Sequence, residues 1–516
     1  MFWFLISGVL VILVYYVFVN PFNYWERKGV PQDRIWKIWL ETVLVIIQYR
    51  PFHETLKRAY DNFPEMRYGG VYQLFTPMLL IRDPELIKQI TVKDFEHFID
   101  HFHFFPTNDE PLWEKNLFLL KGEKWREMRT TLSPSFTSSK MKLMFGLIND
   151  CAKQFVKYYE EQNENVIQLE MKDTFTRYAN DVIATSAFGV TCDSIRNRDN
   201  EFYLNGKIAA DFGEGIKGML KFVIATLSPK LANKLGLKLT KRESSMFFTN
   251  VIKSNIKSRE QNGIIRPDMI HLLLEARKGK LKYEELESIP KEKLTDEDIA
   301  AQAFIFFLAG FDSVATLMYF VAYELAVHPD IQVKLQLEID NILNNSNGSL
   351  TYENLSSMKY MDMVLSETLR KWPNAFFLDR VCVKPYTIPP VREGEKPVYL
   401  EKGDTIQIPL FGIHYDPEYF PEPERFDPER FSDENKSKIN PYVYLPFGSG
   451  PRICIGSRFA LMETKMVFSY LLAKFDIVVT EKTPIPLKLS RSKLSLDNDE
   501  GFWMGLQLRK ESTETL

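Results

Sequence analysis

The chain has few cysteines, no zinc-type spacing and no excess of charge of one sign. Cys151, Cys192, Cys382 and Cys454 are far apart, and no C-x-x-C pair or Cys/His cluster occurs among the 516 residues. These absences argue against a disulfide framework and against a structural zinc site. The formal net charge is −3, so we expect no nucleic-acid partner. A complete glycine-rich motif for a nicotinamide or flavin cofactor is also absent.

The N-terminus lacks charge, since the first charged side chain is Glu26. Residues 1–19 are almost entirely apolar and would form a helix ~28 Å long, close to the ~30 Å core of a bilayer. A cleaved signal peptide is the alternative, but its charged start and small-residue cleavage site are not visible. We therefore predict a transmembrane signal-anchor helix at 1–20, a linker at 21–35 and a single catalytic domain at 36–516. Basic residues after the apolar segment, from Arg27 onward, place that domain in the cytosol.

The remaining chain has a mainly helical pattern with a smaller β portion. Helical periodicity dominates residues 120–345, and short strand-like runs occupy 376–412 and 473–510. Residues 71–81 predict a β-hairpin with Pro77 in its turn. No inner domain boundary is visible, so the fold class is mainly α with a smaller β portion.

One long helix is marked at both ends. Thr295 and Asp298 have the spacing of a capping box, and the apolar run ends at His328-Pro329, about 32 residues or ~48 Å later. Because the run is apolar nearly all round, we expect it to be buried at the centre of the fold. Its middle, Ala309 to Ser313, reads AGFDS. Two interpretations stay open: a tight helix crossing, or a ligand-facing segment in which Asp312 and Ser313 handle protons.

The segment PFGSGPRICIGSRFA, residues 446–460, places Cys454 among three glycines. A disulfide partner, a nucleophile, a buried small hydrophobe and a metal ligand are the possible uses of its thiol. The cytosolic location disfavours the disulfide, no nearby histidine supports the nucleophile, and an inert core thiol does not need the glycines. Glycines instead allow a tightly turned backbone to approach a flat ligand and to direct N–H groups at a thiolate.

The pattern from Phe447 through Gly450, Arg452, Cys454 and Gly456 resembles the haem-binding loop of cytochrome P450 monooxygenases. Four further motifs of that family follow its order and spacing. They are Glu367 with Arg370, the segment Asp427–Phe431 with Arg430, Trp125 with Arg129, and the AGFDS segment at 309–313. The resemblance covers essentially the whole chain and implies the cytochrome P450 fold, with haem between the long central helix and the cysteine loop.

The resemblance also implies roles for these residues. Cys454 would be the axial ligand of haem b, within the loop that holds Phe447 and Gly456, and Glu367, Arg370 and Arg430 would form a structural network. Trp125, Arg129, Arg380 and Arg452 would meet the haem propionates. Asp312 and Ser313 would deliver protons during the use of O2, although the family usually has threonine where this chain has Ser313.

Electrons would come from NADPH through NADPH–cytochrome P450 reductase, and cytochrome b5 is a second expected partner. A basic face for an acidic partner is predicted from Lys121, Lys124, Arg126, Arg458 and Lys465. The resemblance to membrane-anchored animal enzymes implies a single-pass protein of the endoplasmic reticulum membrane.

The substrate pocket should lie beside the central helix and be apolar. Candidate lining residues are Phe304, Phe307, Ala309, Val314, Ala375, Phe376 and Phe377, and residues 202–248 are the expected roof. The chain resembles insect detoxification enzymes of family nine and mammalian drug-metabolising relatives, which favours oxidation of lipophilic xenobiotics. An endogenous lipid or hormone hydroxylase is the alternative within this class, and a non-catalytic haem sensor is the alternative outside it.

Overall fold

The structure is a computed structural model that describes residues 3, 6–8, 15–16, 19–103, 110–211, 215–278, 294–493 and 495–510. Helices make up most of it, which confirms the predicted mainly α class. The helices are α1 (Tyr24–Arg27), α2 (Ile35–Ile46), α3 (Phe52–Asp61), α4 (Pro84–Lys88), α5 (Pro111–Glu114), α6 (Gly122–Leu132), α7 (Ser138–Glu160), α8 (Met171–Ile183), α9 (Glu201–Ala210), α10 (Gly215–Leu227), α11 (Pro229–Lys234), α12 (Arg242–Asn262), α13 (Met269–Arg277), α14 (Asp296–Leu308), α15 (Val314–Val327), α16 (Pro329–Asn345), α17 (Tyr352–Ser356), α18 (Lys359–Lys371), α19 (Leu410–His414) and α20 (Ser457–Lys474).

Three small sheets accompany the helices. Their strands are β1 (Tyr68–Gln73), β2 (Thr76–Ile81), β3 (Val166–Glu170), β4 (Leu378–Val381), β5 (Tyr386–Ile388), β6 (Val398–Leu400), β7 (Thr405–Ile408), β8 (Phe475–Val478) and β9 (Trp503–Leu508). The sheet orders are β1-β2-β7-β4, β3-β9-β8 and β5-β6, and β2 with β7 is the parallel pair among them. One apolar core surrounds the long helices and a second one lies under the first sheet.

The predicted hairpin forms, but its turn is not where the sequence indicated. Pro77 pairs with Tyr72 inside β2, and the turn falls at Leu74 and Phe75, where Leu74 has φ of 55°. Pairing between β2 and β7 begins only at Met78. Pro77 therefore stands outside that second ladder, so its missing N–H costs no hydrogen bond there.

The long central helix is confirmed from end to end. The Thr295 hydroxyl accepts a hydrogen bond from the Asp298 N–H at 3.2 Å, and Asp298 accepts one from the Thr295 N–H at 2.9 Å. From there α14 and α15 form one 32-residue helix, interrupted by a π-helical turn at Ala309–Ser313. In the described part of the chain it is the one helix long and apolar enough to cross a membrane, with mean hydropathy 1.8, yet it is mostly buried in the core.

The segment predicted as a linker is folded onto the domain. Phe22 and Trp25 are fully buried, Phe22 packs against Tyr72 and Phe75, and Trp25 covers Gly70. The segment predicted as a linker thus contributes two buried aromatic side chains, and their burial stabilises its packed position. Most of the predicted anchor, 1–20, lies outside the described residues, and the anchor stays a prediction.

Gly189 packs against a buried ion pair, so we expect its substitution to lower the stability of the fold. An added Cβ would lie 2.1 Å from Arg259 Nη2 and 2.6 Å from Asp268 Oδ2, which bond each other. Gly263 has a similar positive φ, 62° against 66°, but open space around it. We expect Gly263→Ala to cost ~1 kcal/mol of backbone strain and Gly189→Ala ~3 kcal/mol or more, since it also disrupts the pair. Thermal unfolding followed by circular dichroism measures both, and equal midpoints would contradict the packing argument.

Candidate functional site

The cysteine loop is held by a close backbone contact that requires glycine. Gly448 and Gly450 have φ of 80° and 71°. A Cβ at Gly450 would lie 1.8 Å from the carbonyl oxygen of Thr91, so no larger residue fits. The loop then passes through a 3-10 turn to Cys454, and α20 begins at Ser457.

Backbone N–H groups and an arginine lie near the Cys454 sulfur. Burial raises the pKa of the Cys454 thiol, whereas the N–H groups of Gly456 and Ser457 and the charge of Arg129 partly oppose that rise. The Cys454 N–H itself donates to the Phe447 carbonyl at 2.8 Å, which closes the loop.

One position of the cysteine loop and two positions of the central helix are not covered by other side chains. Cys454, Ala309 and Asp312 keep accessible surface, yet burial raises the pKa of both Cys454 and Asp312. A Cβ at Gly456 would meet nothing within 4 Å, so this side of the loop presents flat backbone.

A cluster of arginines lies next to the loop. The Arg452 guanidinium stacks on the Trp125 ring at 4.1 Å and donates to the carbonyls of Ile99 and Leu120 at 2.9 and 2.8 Å. Burial, together with the charges of Arg380 and Arg129, lowers the pKa of Arg452 to about 9.

The other two arginines of the cluster lack carboxylate partners. Arg380 is fully buried, its Nε has no hydrogen-bond partner, and its Nη1 donates to the Asp379 carbonyl at 2.6 Å. No described side chain pairs with the half-buried Arg129. Asp379 is occupied by His101 and the Phe102 N–H. Clustered guanidiniums favour binding of a ligand that carries carboxylates. The propionates of haem are carboxylates, so this arginine cluster and the N–H groups near the Cys454 sulfur fit haem.

Glu367, Arg370 and Arg430 are brought together as predicted. Arg370 binds Glu367 through two bonds of 2.8 and 2.9 Å, and both side chains are fully buried. Arg430 Nε lies 3.4 Å from Glu367 Oε1, and the Asp427 N–H donates to the same oxygen at 3.0 Å. The remaining Arg370 donors reach the carbonyls of His414 and Pro423. Because Glu367 and Arg370 satisfy each other, this buried charge pair ties α18 to the loop before residue 431, whereas Arg430 Nε is buried without a hydrogen-bond partner.

Asp312 and Ser313 lie in the π turn of the central helix. The Ser313 hydroxyl donates to the Ala309 carbonyl at 2.5 Å. The pKa of Asp312 is raised by burial, and Lys172 lowers it while Asp497 raises it. The sequence did not reveal these two neighbours, because Lys172 begins α8 and Asp497 lies in the loop before β9; only the fold brings them near. π turns recur at functional sites.

Several predicted pocket residues are core residues instead. Phe304 and Phe307 have no accessible surface, and Val314 is buried. The rings of Phe304 and Phe307 both pack against Phe248, with 5.6 and 4.6 Å between ring centroids. The two phenylalanines do not line an open space, because neighbouring rings fill the room around them. Ala309 is the member of this group with accessible surface.

The segment after α18 is directed toward the N-terminal part of the chain. Phe376 is buried against His53 and Phe411, and Ala375 packs at the sheet core. Phe377 is half-buried and borders a cavity outside the cysteine loop. At its start, Asn374 donates to the Ser313 carbonyl at 3.0 Å, so the segment also reaches the π turn; the shared lining with Ala309 stays a prediction.

The predicted basic face is incomplete. Lys121, Lys124 and Arg458 are exposed, and Arg126 is engaged by Glu96 at 2.9 Å. Lys465 is buried and pairs with Asp362 at 2.6 Å, so including it in the face was wrong. Lys465 lies on the buried side of α20, which explains why it is not part of an exposed basic face.

The buried pair predicts a large effect of removing one partner. Arg370→Met leaves Glu367 buried without its bidentate partner and should cost ~3–5 kcal/mol. Arg425→Met is a matched control, because Arg425 pairs with Glu422 at 3.3 Å on the exposed surface and should cost below ~1 kcal/mol. Thermal unfolding and folded yield are the measurements, and similar values for the two variants would contradict this reading of the pair.

Comparisons with known proteins agree with the motifs. Residues 36–503 match the protein family described as Cytochrome P450. The chain is 44% identical to Cytochrome P450 9e2 of Blattella germanica, over 98% of each chain. It is 40% identical to Probable cytochrome P450 9f2 of Drosophila melanogaster, over 94% of this chain and 95% of that one. The chain therefore belongs to the cytochrome P450 family and is a cytochrome P450 monooxygenase, similar over its full length to insect members of family nine.

Proposed function

We propose that this monooxygenase holds haem b at Cys454 and oxidises lipophilic small molecules, xenobiotics in particular. The observation that carries the proposal is the cysteine loop, in which Gly450 is packed against the Thr91 carbonyl and Cys454 lies near the charge of Arg129. Haem, when bound, supplies the iron at which dioxygen is activated, and thiolate ligation favours cleavage of its O–O bond. The preference for xenobiotics rests on the likeness to insect family nine.

The arginine cluster supports the orientation of the cofactor. Arg129 and Arg380 are the cations with donors left for propionates, whereas most Arg452 donors already bond backbone carbonyls. Arg452 would then act mainly through its charge and through its stacking on Trp125. Phe447 packs at the core edge beside the loop and would limit access of water to the sulfur.

Asp312 and Ser313, in the π turn of the central helix, would deliver protons for the reaction. Because burial raises the pKa of Asp312, its carboxyl holds a proton more readily than an exposed aspartate does. The adjacent Ser313 hydroxyl bonds the Ala309 carbonyl, and serine lacks the methyl group that restricts the rotamers of threonine.

A membrane location is supported by a continuous apolar surface. Trp36, Leu40 and Val43 are exposed along one face of α2, and Leu220 and Leu227 are exposed on α10, which contacts α2. Exposed apolar patches of this kind mark membrane or partner contacts. We infer that this surface and the anchor at 1–20 place the domain on the cytosolic side of the endoplasmic reticulum membrane, where lipophilic substrates collect.

Electrons would come from NADPH–cytochrome P450 reductase, with cytochrome b5 as a second donor. Lys121, Lys124 and Arg458 remain exposed for an acidic partner near the loop that holds Cys454.

A spectrum and a turnover assay test the proposed function. Cys454→Ser should lose the thiolate-type spectrum of the reduced, carbon-monoxide-bound protein, and also lose NADPH-dependent oxidation with reductase. Cys192→Ser, which changes a half-buried cysteine elsewhere, should retain both. A thiolate-type spectrum without turnover of any lipophile would instead favour a haem sensor.

Ser313 generates a separate prediction about coupling. Ser313→Ala removes the hydroxyl, so product formation should fall by on the order of tenfold or more, with more hydrogen peroxide per NADPH. Ser313→Thr should couple at least as well as the native chain. Ser346→Ala is the control, because the Ser346 hydroxyl makes the same type of bond four residues back, at 2.7 Å, in α16. Equal peroxide yields in native, Thr and Ala forms would exclude Ser313 from the relay.

A further inference from the structure

Residues 215–242, which we call the basic segment, carry positive charge without any negative charge. Seven of these residues are lysine or arginine and none is aspartate or glutamate, whereas the whole chain has a formal net charge of −3. The seven basic side chains are all exposed, and they are Lys217, Lys221, Lys230, Lys234, Lys238, Lys241 and Arg242. A surface that concentrates one sign of charge in this way attracts a partner of the opposite sign.

Most charges of the basic segment are left uncompensated by the protein. Lys238 is the exception, because it lies near the buried carboxylate of Glu110. The other six form no ion pair with a carboxylate among the residues that the structure describes. Exposed lysines elsewhere do form such pairs, as Lys359 does with Asp433 at 2.6 Å. The basic segment therefore keeps its charge available for a partner outside the chain.

Exposed leucines lie on the same helix faces as the cations. On α10, Leu220 and Lys221 follow Lys217 by three and four positions, so the three side chains lie on one face. Leu227 comes two helical turns after Leu220 and extends that face. All four side chains are exposed. The face that α10 presents to the outside is thus both apolar and basic.

The short helix α11 repeats this arrangement. Lys230 and Lys234 are four positions apart, as are Leu231 and Leu235, and all four side chains are exposed. Basic and apolar side chains are combined in this way on helices that lie in the membrane interface. There leucine enters the boundary of the acyl chains, while lysine lays its stem along the apolar surface and keeps its ammonium at the headgroups.

The basic segment continues the apolar surface that we assign to the membrane. Helix α10 contacts both α11 and α2, and Trp36, Leu40 and Val43 are exposed on α2. This continuity favours a lipid surface over an acidic protein as the partner, because an acidic protein would account for the lysines but not for the exposed leucines among them.

We propose that the basic segment binds anionic phospholipid headgroups in preference to neutral ones. Lysine and arginine near a membrane surface are attracted to anionic lipids, and the attraction falls off within a Debye length, about 8 Å at physiological salt. Such binding gives the domain a second attachment besides the anchor and holds α10 and α11 at the headgroups. The inference rests on the membrane location in the proposed function, to which it adds the chemistry of the headgroup.

The test uses the full-length holoprotein in nanodiscs of phosphatidylcholine and phosphatidylserine. Diazirine derivatives of the two lipids are added in equal trace amounts, and their adducts on the basic segment are quantified by mass spectrometry. At physiological salt, phosphatidylserine adducts should exceed phosphatidylcholine adducts on the order of three- to tenfold. At 1 M salt the ratio should approach one, because the Debye length is then about 3 Å.

A pair of charge-removing substitutions tests the residues themselves. Lys230→Gln combined with Lys234→Gln should lower the adduct ratio on the order of two- to fivefold, because two of the unpaired cations are lost. The matched control is Lys253→Gln combined with Lys257→Gln. These two lysines are also exposed and four positions apart, but they lie on α12 more than ~15 Å beyond Arg242 along the helix axis. The control should leave the ratio unchanged.

Folding and haem binding are monitored in the same proteins. All four substituted lysines are exposed, so the unfolding midpoint and the reduced, carbon-monoxide-bound spectrum should match those of the native chain. An adduct ratio near one in the native protein, a ratio that persists at 1 M salt, or equal losses in the two double variants would overturn the proposal.

One further outcome would identify a different partner. If neither lipid labels the basic segment, and the Lys230 and Lys234 double variant weakens reductase binding in phosphatidylcholine nanodiscs, the partner is an acidic protein and the proposal is wrong. Equal labelling by both lipids would contradict the headgroup preference alone, whereas absence of labelling on both α2 and the basic segment would contradict the membrane location. The two failures are therefore distinguishable, and the Cys454→Ser spectrum is independent of both.

Discussion

The rest of the structure depends on burying a 32-residue helix that is apolar on every side. Such a helix cannot lie at a surface, so other elements must cover it all round. Helices α5, α8, α12 and α18 contact its two halves. The π turn at Ala309–Ser313 is the place where this packing is relaxed, and there Ala309 and Asp312 keep accessible surface. The same helix is therefore the main core element and also carries Asp312 and Ser313, which we propose for proton delivery.

Two groups of buried arginines differ in how completely their charges are compensated. Arg370 is balanced by Glu367 and by backbone carbonyls, so its charge stabilises one arrangement of α18 and the following loop. Arg129 and Arg380 lack such a balance, whereas Arg452 bonds backbone carbonyls and lies 3.8 Å from Asp100. Burial, with the charges of Arg380 and Arg129, lowers the pKa of Arg452 to about 9. The first group holds the fold, whereas the second is suited to holding an anion. Similar residues thus serve structure or binding according to how completely the protein satisfies them.

The N-terminal part of the chain contributes more than attachment. Phe22 and Trp25 complete the core beneath the first sheet, and α2 separates an exposed apolar face from an internal cavity. Phe377 connects this region with the end of α18, because its ring borders the cavity. The segment after α18 and the N-terminal part of the chain are consequently packed together.

The sequence by itself determined the family, the long central helix and the cysteine loop, because each depends on local pattern: a capping box, uninterrupted apolar periodicity, and glycines that allow a close backbone approach at positive φ. It also identified Glu367, Arg370 and Arg430, since their motifs lie close along the chain or recur in fixed order. Only the tertiary structure decided which aromatic residues face open space. Phe304 and Phe307 became core because Phe248, distant in sequence, fills the room beside them. Lys465 became buried, and Lys172 and Asp497 came near Asp312, because these outcomes depend on how helices and loops pack across long sequence separations, which no local pattern records.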